Sequence, residues 1–266
     1  MSGSTVEPDL NRPHPDWLIP EFGPELAVEG FMTTRAGGVS LAPHASMNIG
    51  SGVGDEPEAV AENRRRVAQA SGGTPVYVWQ VHGAKVSHLQ PEHALPGARP
   101  VQADASISTS PGLAVAIQAA DCLPVLFAAP GGVGGAHAGW RGLAAGVLEN
   151  TVQALCEAAS CKPQQVQAWL GACIGPQVFE VGADVLAAFG QGDAPIDSEF
   201  FRYQPNPQGE PRWRADLLGL ARQRLSAAGL IHIRGGHWCT YSESSRFFSF
   251  RREAQGGRMV AVIRLR

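Results

Sequence analysis

Four short β-type runs, at residues 105–108, 113–118, 124–129 and 133–137, follow one another with only Pro- and Gly-bearing breaks between them. No helix-length segment separates them. That argues against a strictly alternating parallel fold and for mixed sheets covered by helices. A helix follows over 141–159, where Leu143, Val147, Leu148, Val152 and Leu155 fall on one stripe at spacings of three and four. Upstream, a strand over 28–34 ends at the turn Arg35-Ala36-Gly37-Gly38. A helix over 56–70 is opened by Asp55-Glu56-Pro57 and closed near Gly72-Gly73, and a β-rich segment over 76–89 bends at Gly83. Downstream, 166–174 reads as a buried strand, 182–189 and 215–228 as helices, and 231–234, 238–241, 247–250 and 260–265 as strands. The expected fold is α+β, with mixed β-sheets in a single catalytic domain over 21–266 after an irregular arm over 1–20. No internal repeat or low-complexity linker divides it.

Composition removes several function classes. With 44% hydrophobic and 17% charged residues among 266, the chain is globular rather than disordered. A formal net charge of −3 leaves no domain-wide basic field to hold nucleic acid by its phosphates. The first twenty residues have neither a basic nor an apolar signal region, and the apolar runs at 113–117 and 123–129 fall far short of a membrane span. Five cysteines, an odd number without a CxxC pair, fit reduced thiols in the cytoplasm better than disulfides. Oligomeric state is left open.

Two of the eight histidines sit in unusual surroundings. His82 ends a β-type run in Trp79-Gln80-Val81-His82-Gly83, and His137 lies in Gly134-Gly135-Ala136-His137-Ala138-Gly139-Trp140-Arg141-Gly142. Cys122 stands between them in Ala120-Asp121-Cys122-Leu123-Pro124, also at a strand boundary. Two imidazoles and one thiolate make a three-ligand set for Zn²⁺ with a fourth position open, as catalytic sites require. Spacings of 40 and then 15 residues match no local finger motif, and a Cys or His at a strand end is more often core or surface than ligand. The glycines favour the ligand reading, because they let other groups approach closely. A strand, a Gly-rich turn and a helix N-terminus carrying Arg141 also offer an anion free N–H groups and positive charge.

Other residues divide between function and structure. Asp121 serves as a general base or ligand partner, or equally as a turn cap. Asn48 is a substrate contact, or a turn residue. Trp79 and Trp140 are stacking platforms for a flat ligand, or core, and Glu180 is a candidate substrate carboxylate. Arg251 and Arg252, with Arg246 and Arg258, form a cluster able to bind phosphate, though such clusters are more often solvated faces. Cys156 and Cys161 read as plain core and surface.

The segments Thr33-Thr34-Arg35-Ala36-Gly37-Gly38-Val39-Ser40, Met47-Asn48-Ile49-Gly50, Trp79-Gln80-Val81-His82-Gly83 and Ala120-Asp121-Cys122-Leu123-Pro124 resemble the YfiH/YlmD family in order and spacing. So do His137-Ala138-Gly139-Trp140-Arg141-Gly142, Gly171-Ala172-Cys173-Ile174-Gly175-Pro176 and Phe247-Phe248-Ser249-Phe250-Arg251-Arg252. The resemblance runs from about Trp17 to the C-terminus, and Gln177 departs from a family variant with cysteine at that place. It implies a four-layer α/β/β/α sandwich and a zinc at His82, Cys122 and His137. The implied activities are phosphorolysis of adenosine, inosine and methylthioadenosine, and deamination of adenosine. Labels as polyphenol oxidase and as peptidoglycan editing factor also attach to the family.

Three chemistries follow. In a zinc purine-nucleoside enzyme, the metal would activate water for attack at adenine C6. Phosphate would sit in a cradle of Arg35, Arg141 and the helix N-terminus after Trp140. The zinc-deaminase signature of H-x-E with P-C-x-x-C is absent, so this would be an unrelated solution. In a cysteine amidase acting on peptidoglycan precursors, Cys122 and His137 would form the nucleophile and base. Copper suits a His/His/Cys set too, but phenol oxidation needs a cluster served by His-x-His pairs, and this chain has none. A zinc phosphorylase and deaminase is the expected function, with the amidase second.

Overall fold

The computed structural model describes residues 10–194 and 196–266, so residues 1–9 of the expected arm lie outside the described residues. The remainder of that arm turns into β1 (Val28–Met32): Leu18 bridges to Met32, and Trp17 stacks on Phe31 with ring centroids 4.9 Å apart. Helix α1 (Pro57–Ser71) opens on a proline, where a missing N–H costs nothing, and closes at Gly72, whose φ of 64° suits a residue without Cβ.

The β-rich segment after it resolves into β2 (Thr74–Tyr77) and β3 (Val86–His88), with an irregular loop between them. The loop abandons the ladder because the Asp104 carboxylate takes the N–H groups of Val81, His82 and Gly83. The four central runs form β4 (Ala105–Ser108), β5 (Leu113–Ala119), β6 (Leu123–Ala129) and β7 (Gly132–Ala138). The single helix expected over 141–159 is two: α2 (Trp140–Ala144) and α3 (Val147–Ala159). Gly146, at φ 90°, breaks it with a left-handed residue while leaving the apolar stripe in register.

Beyond lie β8 (Gln167–Leu170), β9 (Glu180–Val181), α4 (Ala183–Ala188), β10 (Phe201–Tyr203), β11 (Trp213–Ala215), α5 (Leu217–Ala227), β12 (His232–Gly235) and β13 (Met259–Leu265). Helix α5 is capped by Asp216, whose side chain accepts the Gly219 N–H at 2.9 Å. Two expected strands are not strands. Residues 238–241 hold only a bridge from Cys239 to Cys173, and 247–249 are irregular backbone between turns, with Phe247 and Phe248 buried.

The strands make one α+β domain with three sheets. A six-stranded sheet, β12-β8-β6-β7-β4-β3, and a four-stranded sheet, β1-β13-β5-β2, each mix parallel and antiparallel pairs. A small antiparallel sheet, β10-β11-β9, lies beyond. Val115, Ile117, Ala261 and Ile263 of the four-stranded sheet share a core with Leu126, Ala128, Val133 and Trp169 of the six-stranded sheet. Leu148, Val152 and Leu155 of α3 pack with Val125, Phe127 and Ala136 of the six-stranded sheet, and Val67 of α1 with Ala114, Ala116 and Val262 of the four-stranded one. Strand β5 passes directly into β6 through Ala120-Asp121-Cys122, so the chain crosses from one large sheet to the other at that turn. Among the described residues, no helix is long and apolar enough to cross a membrane.

Candidate metal centre

Three segments converge where the two large sheets meet. His82 comes from the loop after β2, Cys122 from the β5–β6 crossing and His137 from the penultimate position of β7. One side-chain donor atom from each lies within 4.8 Å of the others, and the two imidazole rings stand nearly perpendicular, 4.8 Å apart at their centroids. Burial is graded: His137 is buried, Cys122 half-buried and His82 exposed, so the group opens outward past His82.

The local backbone is bent to allow this. His82 and Asp121 take φ of 61° and 91°, left-handed values that cost a non-glycine residue on the order of 1–2 kcal/mol each. Hydrogen bonds hold both in place. Asp121 accepts from the Thr240 hydroxyl at 2.6 Å and from the Arg251 N–H at 2.7 Å, and its carbonyl accepts the Ile174 N–H at 2.9 Å. Gly139 is required by space: a Cβ there would come within 2.8 Å of the Cys122 sulfur. The neighbouring Gly142 lets α2 approach the ligand loop, since a Cβ would sit 2.7 Å from the Gly83 carbonyl oxygen.

Asp104, which has no exposed surface, anchors the three-donor group from behind. One oxygen lies 2.9 Å from His137 Nδ1, and the carboxylate also accepts three N–H groups from the loop that carries His82. A carboxylate only accepts, so Nδ1 carries the proton and Nε2 is left for the ligand position. Burial raises the Asp104 pKa, but the bonds from His137, Gly83 and Val81 outweigh it and leave it below the ordinary value. Burial also pushes the Cys122 thiol up, yet His137 and His82 overcome this and bring it down to about 6. For His137 burial pulls downward, while the Cys122 charge and the Asp104 bond hold it up at about 9. The metal-free pair is thus thiolate and imidazolium. The sulfur is already in the form that ligates a metal.

The group lies on the wall of a cleft of about 750 Å³, ample for a nucleoside-sized ligand. Asp121, Trp140 and Arg141 line it with the three ligands, and the Arg141 guanidinium lies over the Trp140 ring at 4.2 Å. Trp79 lines it too, with 63% of its surface exposed. Gln80 exchanges two hydrogen bonds of 2.8 Å with the Gln118 backbone, which fastens the His82 loop to β5.

Three expected contacts stand outside this lining. Arg35 donates to the carbonyls of Ala45 and Ser244 and covers the Phe248 ring, so it ties loops together. Asn48 is fully buried, donating to Asp55 and accepting from Gly50 and Arg258. Glu180 pairs with Arg214 at 2.6 Å. The helix N-terminus expected to help hold an anion belongs to α2, and its five residues align too few peptide dipoles to serve. Asp104 escaped the sequence reading, its one signal being an acid set directly before an apolar β-run. Within the arginine cluster, Arg251 and Arg258 reach the cleft.

Fold and site together define a class: one α+β domain that sets two imidazoles and a thiolate, a group able to hold a metal ion, beside a substrate-sized cleft. Within that class, the chain belongs to the YfiH/YlmD family. The family model, described as multi-copper polyphenol oxidoreductase laccase, matches residues 29–266. The purine nucleoside phosphorylase PA4543 of Pseudomonas aeruginosa is 44% identical over 250 residues, covering 93% of this chain and 97% of that protein. The purine nucleoside phosphorylase YfiH of Escherichia coli K12 is likewise 44% identical over 250 residues, covering 92% and 97% of the two chains. Among solved structures, protein NMB0706 of Neisseria meningitidis superposes with a TM-score of 0.83 at 39% identity, over 94% of this chain and 99% of that one.

Proposed function

We propose that the chain is a zinc-dependent purine nucleoside phosphorylase acting on adenosine, inosine and methylthioadenosine, with adenosine deamination as a second activity. The observation that carries this reading is the His82/Cys122/His137 group, backed by Asp104 and open to an arginine-lined cleft. Relatives that match nearly their full length bear the phosphorylase name. Two imidazoles and a thiolate suit zinc, with copper the alternative. Zinc, when bound, supplies a Lewis acid at the open side of the triad.

In phosphorolysis, a phosphate oxygen forms a bond to the ribose C1′ as the C1′–N9 bond breaks. The purine leaves with the electron pair and takes up a proton, giving free base and the 1-phosphate of the sugar, which keeps the methylthio group when methylthioadenosine is the substrate. In deamination, water adds at C6 and ammonia departs. The chain's own residues bind and orient. Trp79 and Trp140 offer faces for the purine, and Arg141 draws the anion. Asp121, with both oxygens occupied, holds Cys122 in place rather than moving a proton.

The same reading takes residues 21–266 as the catalytic unit and its layers as α/β/β/α, supported by three separate core clusters. Five free cysteines suit the cytoplasm. The polyphenol oxidase label finds little support. One donor group of this kind occurs among the described residues, whereas a multicopper enzyme needs several.

The depressed Cys122 thiol beside His137 favours one second reading, a cysteine amidase that edits peptidoglycan precursors. One assay separates the two. Metal-analysed protein is incubated with adenosine and phosphate while adenine and inosine are followed by chromatography. About one zinc per chain, with products lost in His82→Ala and Cys122→Ala, supports the phosphorylase. Absence of both products, with cleavage of a muramyl amide, transfers the thiolate to a hydrolase.

A further inference from the structure

Three arginines, Arg141, Arg251 and Arg258, line the cleft against a single described carboxylate, Asp121. Both oxygens of Asp121 are already taken, by the Thr240 hydroxyl and the Arg251 backbone N–H. In a chain of net charge −3 the cleft is therefore locally cationic, as an anionic substrate requires.

The three guanidinium groups differ in what remains free. Arg251 is exposed and spends Nη1 on the Glu180 carbonyl at 3.1 Å. Arg141 is exposed too, resting on the Trp140 ring with no ion pair among the described residues. Arg258 is half-buried and its backbone is clamped: its N–H donates to Asn48 Oδ1 at 2.8 Å and its carbonyl accepts the Ile49 N–H at 3.1 Å. Its stem lies on Gly50, where a Cβ would come within 2.8 Å of Arg258 Cγ. Nη1 donates to the carbonyls of Gly256 and Gly257 at 2.8 and 3.0 Å. Nε and Nη2 have no partner among the described residues.

A guanidinium pinned along one edge with the other edge free is a preorganised fork for two oxygens of an anion. Burial pulls the Arg258 pKa below its usual value, and the nearby charges of Asp121 and Cys122 offset only part of this. Its free edge forms no ion pair among the described residues.

We propose that Arg258 is the principal phosphate-binding residue of this site, with Arg141 closing on the same anion from the rim. Asn48 is then a positioning residue that acts through the Arg258 backbone. The identity of the anion rests on the phosphorylase reading, whereas the existence of the anion site does not.

Inorganic phosphate is titrated calorimetrically into zinc-loaded wild-type protein and into Arg258→Gln, Arg258→Lys, Arg141→Gln and the surface control Arg202→Gln. Inosine phosphorolysis is measured alongside. Arg258→Gln is expected to weaken phosphate binding about 10- to 100-fold. It raises the phosphate KM in parallel and leaves the inosine KM within about twofold. Arg258→Lys, which keeps the charge but loses the fork, falls between, Arg141→Gln loses less, and Arg202→Gln matches wild type. Unchanged phosphate affinity in a folded Arg258→Gln overturns the proposal, as does a wild type that binds no phosphate. Should that variant fail to fold, Arg258→Lys decides: wild-type affinity overturns the proposal and a several-fold loss supports it. Arg258-dependent phosphate binding without turnover of any nucleoside leaves this site standing and removes the phosphorylase reading. Turnover whose phosphate KM ignores Arg258 does the reverse.

Discussion

A carboxylate without exposed surface that accepts from one imidazole and three backbone amides has no capacity left for water. Asp104 is such a group. In Asp104→Asn one oxygen becomes an NH₂ that faces N–H donors. Metal affinity is expected to fall about 10- to 100-fold, read by competition with a chromophoric chelator, and wild-type affinity would remove Asp104 from the site. The ligands also predict a pH profile for the metal-free chain. The Cys122 pKa is lowered on folding, so its contribution is present above the unfolded thiol value of about 8.5 and is lost as pH falls through about 6. The His137 pKa is raised, so its contribution is full below the unfolded imidazole value of about 6.5 and is lost as pH rises through about 9. The ion pair therefore exists between those two limits, and the melting temperature of metal-free protein should fall as pH approaches either of them from within. Cys122→Ser should flatten the curve; a variant with the same two shoulders would refute the assignment. The His82, Cys122 and His137 group was legible only when the glycines and strand ends were read together with the family motifs, since spacings of 40 and 15 residues match no local ligand pattern. Asp104 was not, because a lone acid before a β-run has no periodicity to mark its partners.

At the scale of elements, the break between α2 and α3 depends on one backbone angle. Gly146→Ala meets open space, its nearest neighbour being Glu149 Oε2 at 3.8 Å, so its cost is conformational. A loss of about 1–2 kcal/mol in denaturant unfolding is expected. A gain in stability would mean that the two helices had fused. The periodic stripe from Leu143 to Leu155 spoke for one helix because an apolar pattern records which face is buried and not the sign of φ. The four central strands were legible almost to the residue, since long buried runs leave little choice. The small sheet of β9, β10 and β11 was not, because strands of two or three residues carry no alternation to read.

For the whole molecule, the metal group joins parts that sequence distance keeps apart. His82 follows a strand of the four-stranded sheet, His137 ends one of the six-stranded sheet, and Cys122 sits where the chain crosses between them. An ion bound there stabilises the folded chain by mass action, about 4 kcal/mol at a thousandfold excess over Kd. Chelator treatment should therefore lower the melting temperature by several degrees, and His82→Ala should melt alike with and without chelator. Equal melting of treated and untreated wild type would show that the group holds no metal. The expectation of mixed sheets under helices came from strands that adjoin without helices between them. Which strands neighbour one another lay beyond it, since the β13 partnership with β1 and β5 spans most of the chain. The shared anchor at Asp104 adds something a list of ligands would miss. Because a single carboxylate holds both the His137 ring and the backbone of the His82 loop, any displacement of Asp104 is passed to both segments at once. The spacing of the two segments is thus referenced to one buried group that belongs to the chain itself and not to any ion.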